Sequence, residues 1–276
     1  MTNGGPFPGL GHSEPVGERD LTKLDGAHAE SSRARVPEEV PVAFVYRKRT
    51  HAVMMATPAD FEDLAVGFTL SEQIVPSFGD IGSIDVARHS RGVEVSIDIP
   101  QTAVDALGER ARALAGRTGC GLCGVEAIDD AVRVPHGVTS TLAIPVASLW
   151  RASKELDDAQ PMNRDTHAIH AAAFATPDGA LRIVREDVGR HNALDKVLGA
   201  VARERLDATN GFLVVTSRAS FELVQKATVF GVPLIAAVSR PTGLAIRIAE
   251  SAGMCLVWLL RGETASVYAN RKRVTT

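Results

Sequence analysis

The segment Arg185-Glu186-Asp187-Val188-Gly189-Arg190-His191-Asn192-Ala193-Leu194-Asp195-Lys196 crowds ionisable side chains into the start of a helical pattern that propensity alone does not call for. Asn192 and Asp195 can serve as cap and first-turn acid. Arg190 and His191 have no such structural use, because a cation near the positive end of a helix is unfavourable unless an anion offsets it. They point to a bound anion. Two further joints repeat the theme: Thr216-Ser217-Arg218-Ala219-Ser220 and Ser239-Arg240-Pro241-Thr242-Gly243 each follow an apolar strand and bring hydroxyls and an arginine to the start of a helix. Either Ser220 and Thr242 only cap their helices, or the two joints together hold a phosphate or pyrophosphate. A third element, Cys120-Gly121-Leu122-Cys123, lies in a nine-residue stretch with four glycines, so it must be a loop. A C-x-x-C of this kind is open to three uses. A structural zinc site needs four ligands, and Cys255 sits in an apolar strand where it reads as core. A thioredoxin-like redox pair belongs at a helix start beside a strand. A nucleophilic or sulfur-carrying thiol on a glycine-jointed arm is the remaining use, with Arg117 favouring the thiolate.

These residues need a frame. Residues 1–35 hold six glycines, three prolines and mixed charges with no apolar period, and are expected to be a tail without fixed structure. Strands are expected at 40–46 and 51–56 as a hairpin, then a helix capped by Thr57 with Pro58 in its first turn and Phe61, Leu64, Ala65 and Phe68 at helical spacing. A half-buried strand ends at Pro100, and a helix spans about 102–114. Beyond the glycine-rich loop the pattern changes to helix 149–156, strands 168–176 and 181–186 around Pro177-Asp178-Gly179, helix 192–205, strand 212–217, helix 220–230, strand 233–239, helix 244–252 and strand 255–260. Strands apolar on both faces, alternating with helices, predict a largely parallel sheet covered on both sides. Ligands of such sheets bind beyond the carboxyl ends of the strands, where both hydroxyl-rich joints fall. The organisation expected is a tail (1–35), a smaller α+β domain (36–140) ending in the glycine-rich loop (116–124), and an α/β domain (141–276).

The chain of 276 residues carries 33 acidic and 30 basic residues, which argues against a basic nucleic-acid binder. Its apolar runs are too short to span a bilayer, and the first ten residues lack the apolar core of a signal peptide. Three cysteines exclude a disulfide scaffold, and a cytoplasmic compartment is expected.

Four segments, read in order, resemble the formate dehydrogenase accessory sulfurtransferase family FdhD: Met55-Ala56-Thr57-Pro58-Ala59-Asp60 through Leu64-Ala65-Val66-Gly67-Phe68, Gly119-Cys120-Gly121-Leu122-Cys123-Gly124, the Arg185–Lys196 run, and Thr216-Ser217-Arg218-Ala219-Ser220-Phe221-Glu222. The resemblance implies a three-layer α/β/α C-terminal domain folded like cytidine deaminases without their zinc site. It also implies an activity. Sulfur from a cysteine desulfurase is taken as a persulfide and passed to a molybdenum or tungsten bis-guanine-dinucleotide cofactor, bound as substrate, that formate dehydrogenase needs. Cys120 would carry the persulfide, with Cys123 its helper. Arg190, His191, Asn192, Asp195, Ser217, Arg218, Ser220 and Thr242 would bind the cofactor or a GDP-like mimic. So would Leu259, Leu260, Arg261, Gly262, Glu263 and Thr264, the turn that matches by position, where Trp258 and Arg261 stand in for a Gly-Phe and a following arginine. A homodimer is implied as well.

Overall fold

The computed structural model describes residues 9–114, 137–260 and 263–276; the Cys120/Cys123 loop, Arg261 and Gly262 lie outside the described residues. The chain is a mixed α/β protein with one four-stranded and one six-stranded sheet, each with its own apolar core.

The N-terminal stretch corrects the expectation of a tail. Strands β1 (Val16–Asp25) and β2 (His28–Pro37) form an antiparallel ribbon in which Asp25 faces His28 across a turn where Gly26 has φ +57°. Its side chains are mostly exposed on both faces, so no apolar alternation marks it, and the Asp25-Gly26 turn is the local signal. The expected boundary at 35/36 falls inside β2.

Next come β3 (Val40–Tyr46) and β4 (Arg49–Ala56), the expected hairpin, then helix α1 (Phe61–Ser71), β5 (Ile84–His89), β6 (Gly92–Ile97) and helix α2 (Gln101–Leu114). Their sheet runs β4-β3-β6-β5, with β3 and β6 parallel. Val42, Phe44, Val95 and Ile97 pack from it against Leu64 and Phe68 of α1, and the Phe44 and Phe68 rings stack at 4.8 Å. Thr57 does not cap α1. The helix starts later, behind Asp60 at φ 54°, and Thr57 is fully buried in bonds to the other lobe.

The second lobe holds β7 (Ile144–Pro145), α3 (Val146–Asp158), α4 (Pro161–Thr166), β8 (His170–Ala175), β9 (Leu181–Asp187), α5 (Arg190–Arg203), β10 (Phe212–Arg218), α6 (Phe221–Val229), β11 (Leu234–Ser239), α7 (Gly243–Ala252), β12 (Cys255–Leu260), β13 (Thr264–Ala269) and β14 (Val274–Thr275). The six-stranded order is β13-β12-β11-β10-β8-β9. Only β10, β11 and β12 are mutually parallel, so the sheet is less parallel than the alternating pattern predicts. The reason is local: β8 and β9 are joined by the short Pro177-Asp178-Gly179 turn, and β13 folds straight back on β12, connections that allow only antiparallel pairing. Leu213 and Val215 face α5, α6 and α7, while Phe212 and Val214 face α3, which gives three layers. Cys255 is buried in the α3-side core, as its apolar strand implies.

Helices α1 and α5 join the lobes. Gly67 and Gly199 sit at their crossing, where a Cβ on Gly67 would collide with the Asp195 carbonyl and one on Gly199 with that of Asp63. Glycine is required by this close approach rather than by backbone angle. On α5, Leu194, Val197, Leu198 and Val201 recur at helical spacing and are all buried.

Candidate anion-binding site

One edge of the six-stranded sheet gathers most of the chemistry. The parallel strands β10, β11 and β12 end there, and α5, α6 and α7 start there, so three helix N-termini share the edge with antiparallel β8, which begins at His170. The loops are tied together: the Thr216 hydroxyl accepts from Ala171 N at 2.9 Å, and Thr242 N donates to Ala219 O at 3.1 Å. Local sequence explains each joint. Thr242 is a helix cap, its side chain accepting from Ala245 N at 3.3 Å. Ser220 also occupies a cap position, yet its side chain makes no capping bond.

Three buried polar atoms here have no hydrogen-bond partner among the described residues: Arg190 Nε, His191 Nε2 and Ser220 Oγ. Arg190 and His191 open α5 and Ser220 precedes α6. His191 Nε2 lies 2.6 Å from a Glu222 carboxylate oxygen, near enough for an ion pair but without hydrogen-bond alignment of the ring N–H. A buried polar atom left unpaired costs about 1–3 kcal/mol, and native proteins keep few of them. Two nitrogens and one hydroxyl, in loops that also carry exposed Arg218 and Arg240, form a donor set suited to phosphate oxygens. The His191 contact, with Arg190 and Lys226 adding, holds the Glu222 carboxyl below the usual range. Burial, reinforced by Arg190 and His191, lowers the pKa of His170 and so favours its uncharged ring. Sequence reasoning does not single out His170 or Glu222 as site residues. The available signal is that His170 opens an otherwise apolar strand and that Glu222 is an acid in the first turn of its helix.

Arg240 stacks its guanidinium over the Trp258 ring at 4.4 Å, and Trp258 Nε1 donates to Val238 O at 3.2 Å. Trp258 therefore belongs to this edge as well as to the sheet.

The expected residues divide. Arg190, His191, Arg218, Ser220 and Thr242 come together at the edge. Ser217 is buried in the strand end, its hydroxyl donating to Arg218 O at 3.2 Å. Asn192 does not cap α5; Gly189 holds that position, and Asn192 Nδ2 donates to Met55 O at 2.8 Å and to Asp187 Oδ1 at 3.0 Å. Asp195 is buried one turn further along, bound to Lys226 Nζ at 2.9 Å and Ser71 Oγ at 2.8 Å, so it is an ion-pair partner between helices. Leu259 is in the α3-side core. Leu260 ends β12, and Glu263 and Thr264 are exposed at the start of β13, with Glu263 at φ 58°.

Comparison with known proteins bears on most of the chain. The FdhD/NarQ family model matches residues 37–275. A sulfur carrier protein FdhD from Agrobacterium fabrum is 48% identical over 251 residues, which span 91% of this chain and 92% of that protein. One from Xanthomonas oryzae pv. oryzae is 47% identical over 256 residues, 93% of this chain and 91% of its own. The crystal structure of a protein provisionally assigned as a formate dehydrogenase accessory protein, from Desulfotalea psychrophila, superposes with a TM-score of 0.78 at 22% identity, covering 94% of this chain and 99% of that one. That likeness carries the fold.

Proposed function

The chain belongs to the FdhD/NarQ family, and from that premise we propose that it is a sulfur carrier serving formate dehydrogenase, with the sheet edge as its site for a phosphate-bearing cofactor. The observation that carries the binding half is that Arg190 Nε and Ser220 Oγ are buried without a hydrogen-bond partner at neighbouring helix N-termini, with His191 beside them. The substrate it fits is a molybdenum or tungsten bis-guanine-dinucleotide cofactor, whose pyrophosphates supply the anion. Arg218 and Arg240 add charge at the rim, and Trp258 offers a ring face to a base.

The sulfur half rests on Cys120 and Cys123. The Cys120 thiolate attacks the terminal sulfur of a cysteine desulfurase persulfide; the donor S–S bond breaks, the donor thiolate leaves, and Cys120 holds the sulfur with no net redox change. For delivery, the Cys123 thiolate attacks Cys120 Sγ. Sulfide departs to the metal of the cofactor, and the resulting Cys120–Cys123 disulfide is reopened by a thiol reductant. A cytoplasmic homodimer with no resident metal accompanies this reading.

Intact-protein mass spectrometry after incubation with a cysteine desulfurase and cysteine tests it. The expected result is a gain of one sulfur atom in the wild type and in Cys123→Ala, and none in Cys120→Ala. No gain in the wild type beside an active desulfurase refutes the carrier role and leaves a protein that only binds and protects the cofactor.

A further inference from the structure

We propose that Thr57, supplied by the four-stranded lobe, is the positioning residue for the anion edge of the six-stranded lobe; the inference rests on the reading of that edge as a phosphate site.

The edge depends on the turn Asp187-Val188-Gly189, which leads straight into Arg190. Both N–H groups of that turn are fixed from outside the helix: Val188 N donates to the Thr57 hydroxyl at 3.0 Å, and Gly189 N donates to Asp187 Oδ1 at 2.8 Å. The Asp187 carboxylate has no exposed surface and accepts four bonds. Its Oδ1 takes Gly189 N and Asn192 Nδ2, while its Oδ2 takes Thr57 N at 3.0 Å and Lys196 Nζ at 2.7 Å. Lys196, equally buried, also donates to Thr57 O at 3.2 Å. Thr57 thus uses its N–H on the end of β9, its hydroxyl on the turn and its carbonyl on Lys196 of α5, and Met55 O adds a fourth grip through Asn192.

A lone buried ion pair is a poor stability device, since its desolvation offsets its attraction, and apolar side chains of similar size would serve as well. What this one provides is geometry. With every acceptor of Asp187 committed, the turn that leads into α5 is fixed, and Arg190 Nε is left without a hydrogen-bond partner at its end while His191 Nε2 is set against the Glu222 carboxylate. The hydroxyl of Thr57 is the part of the bracket that can be removed without unpairing a buried charge.

The test is GDP binding by calorimetry on the full chain, at a temperature well below the melting midpoint, for the wild type, Thr57→Val and Thr57→Ser, with Tm read alongside. Valine keeps the shape and loses the acceptor; serine keeps the acceptor. The expected result is a Kd at least about tenfold weaker in Thr57→Val and within about twofold of wild type in Thr57→Ser. Thr57→Ala is read the same way where valine is not tolerated. A lowered Tm with unchanged Kd makes Thr57 merely structural and overturns the inference. Failure of the wild type to bind GDP is a different result, which overturns the phosphate-site reading and the inference with it.

Discussion

Lys226→Met isolates the ion pair that locks α5 against α1 and α6. Asp195, only 2% exposed at its side chain, is paired with Lys226 Nζ at 2.9 Å and accepts from Ser71 Oγ at 2.8 Å. Burial is the main influence on Asp195 and raises its pKa above the ordinary 3.8, against the lowering effect of Lys226. Without that cation the carboxyl must stay buried as an uncompensated anion or take up a proton. The proton is the cheaper route, at about 1.4 kcal/mol for each pH unit above the unfolded value. Holding the carboxyl protonated then costs about 4 kcal/mol at pH 7 and about 2 at pH 5, counted from the ordinary value of 3.8. The sign follows from linkage: a carboxyl whose pKa folding raises adds stability below its unfolded value and loses it as pH rises through the folded value. Lys226→Met raises that folded value further, so the gap to wild type widens upward in pH. Urea unfolding at pH 5, 7 and 8 and constant ionic strength measures it. A gap that is flat with pH, or no gap at pH 7, refutes the argument.

Arg190→Ala removes a donor of the anion edge and should weaken GDP binding about tenfold, with a smaller effect at high salt, as titrations at two ionic strengths will read. Gly199→Ala forces a Cβ into the Asp63 carbonyl and should cost about 1–3 kcal/mol or more of stability, seen as an early denaturant midpoint. The thiol of Cys255 is pushed up to about 12 by burial, so an aromatic disulfide reagent at pH 8 should leave it unmodified in the native chain and reach it after unfolding. Tyr46→Phe deletes the 2.8 Å bond to Thr69 Oγ1 and should destabilise by about 1 kcal/mol, measurable by thermal melting.

Elements whose buried face follows a period were legible in the sequence. The stripe Leu194, Val197, Leu198, Val201 marks α5, and the two-faced apolar strands β10 and β11 are placed within a residue or two. The joints at the edge of the sheet were legible too, because hydroxyls and arginines recur after two successive apolar strands, although Thr242 proves to be a helix cap as its position allows. Asn192 and Asp195 read as ordinary helix-start residues, and nothing local shows that they face Met55 and Lys226, more than thirty residues away in each case. Lys196 looks like a solvated base, yet it is fully buried, because the partner that compensates its charge comes from β9. The ribbon β1–β2 buries little on either face, so its signal was confined to a two-residue turn.

The glycine crossing of α1 and α5 sets a rule for recombining members of the family. Chimeras that take residues up to the glycine-rich loop from one parent and the remainder from another separate Gly67 from Asp195 and Gly199 from Asp63. A larger residue on either side from a donor whose helices cross further apart meets a carbonyl of the other parent. Workable breakpoints are those that inherit both helices together, such as the β1–β2 turn or the strands after α5. The unit of exchange in this protein is therefore the helix pair with what packs on it, and neither lobe is a cassette that can be swapped alone.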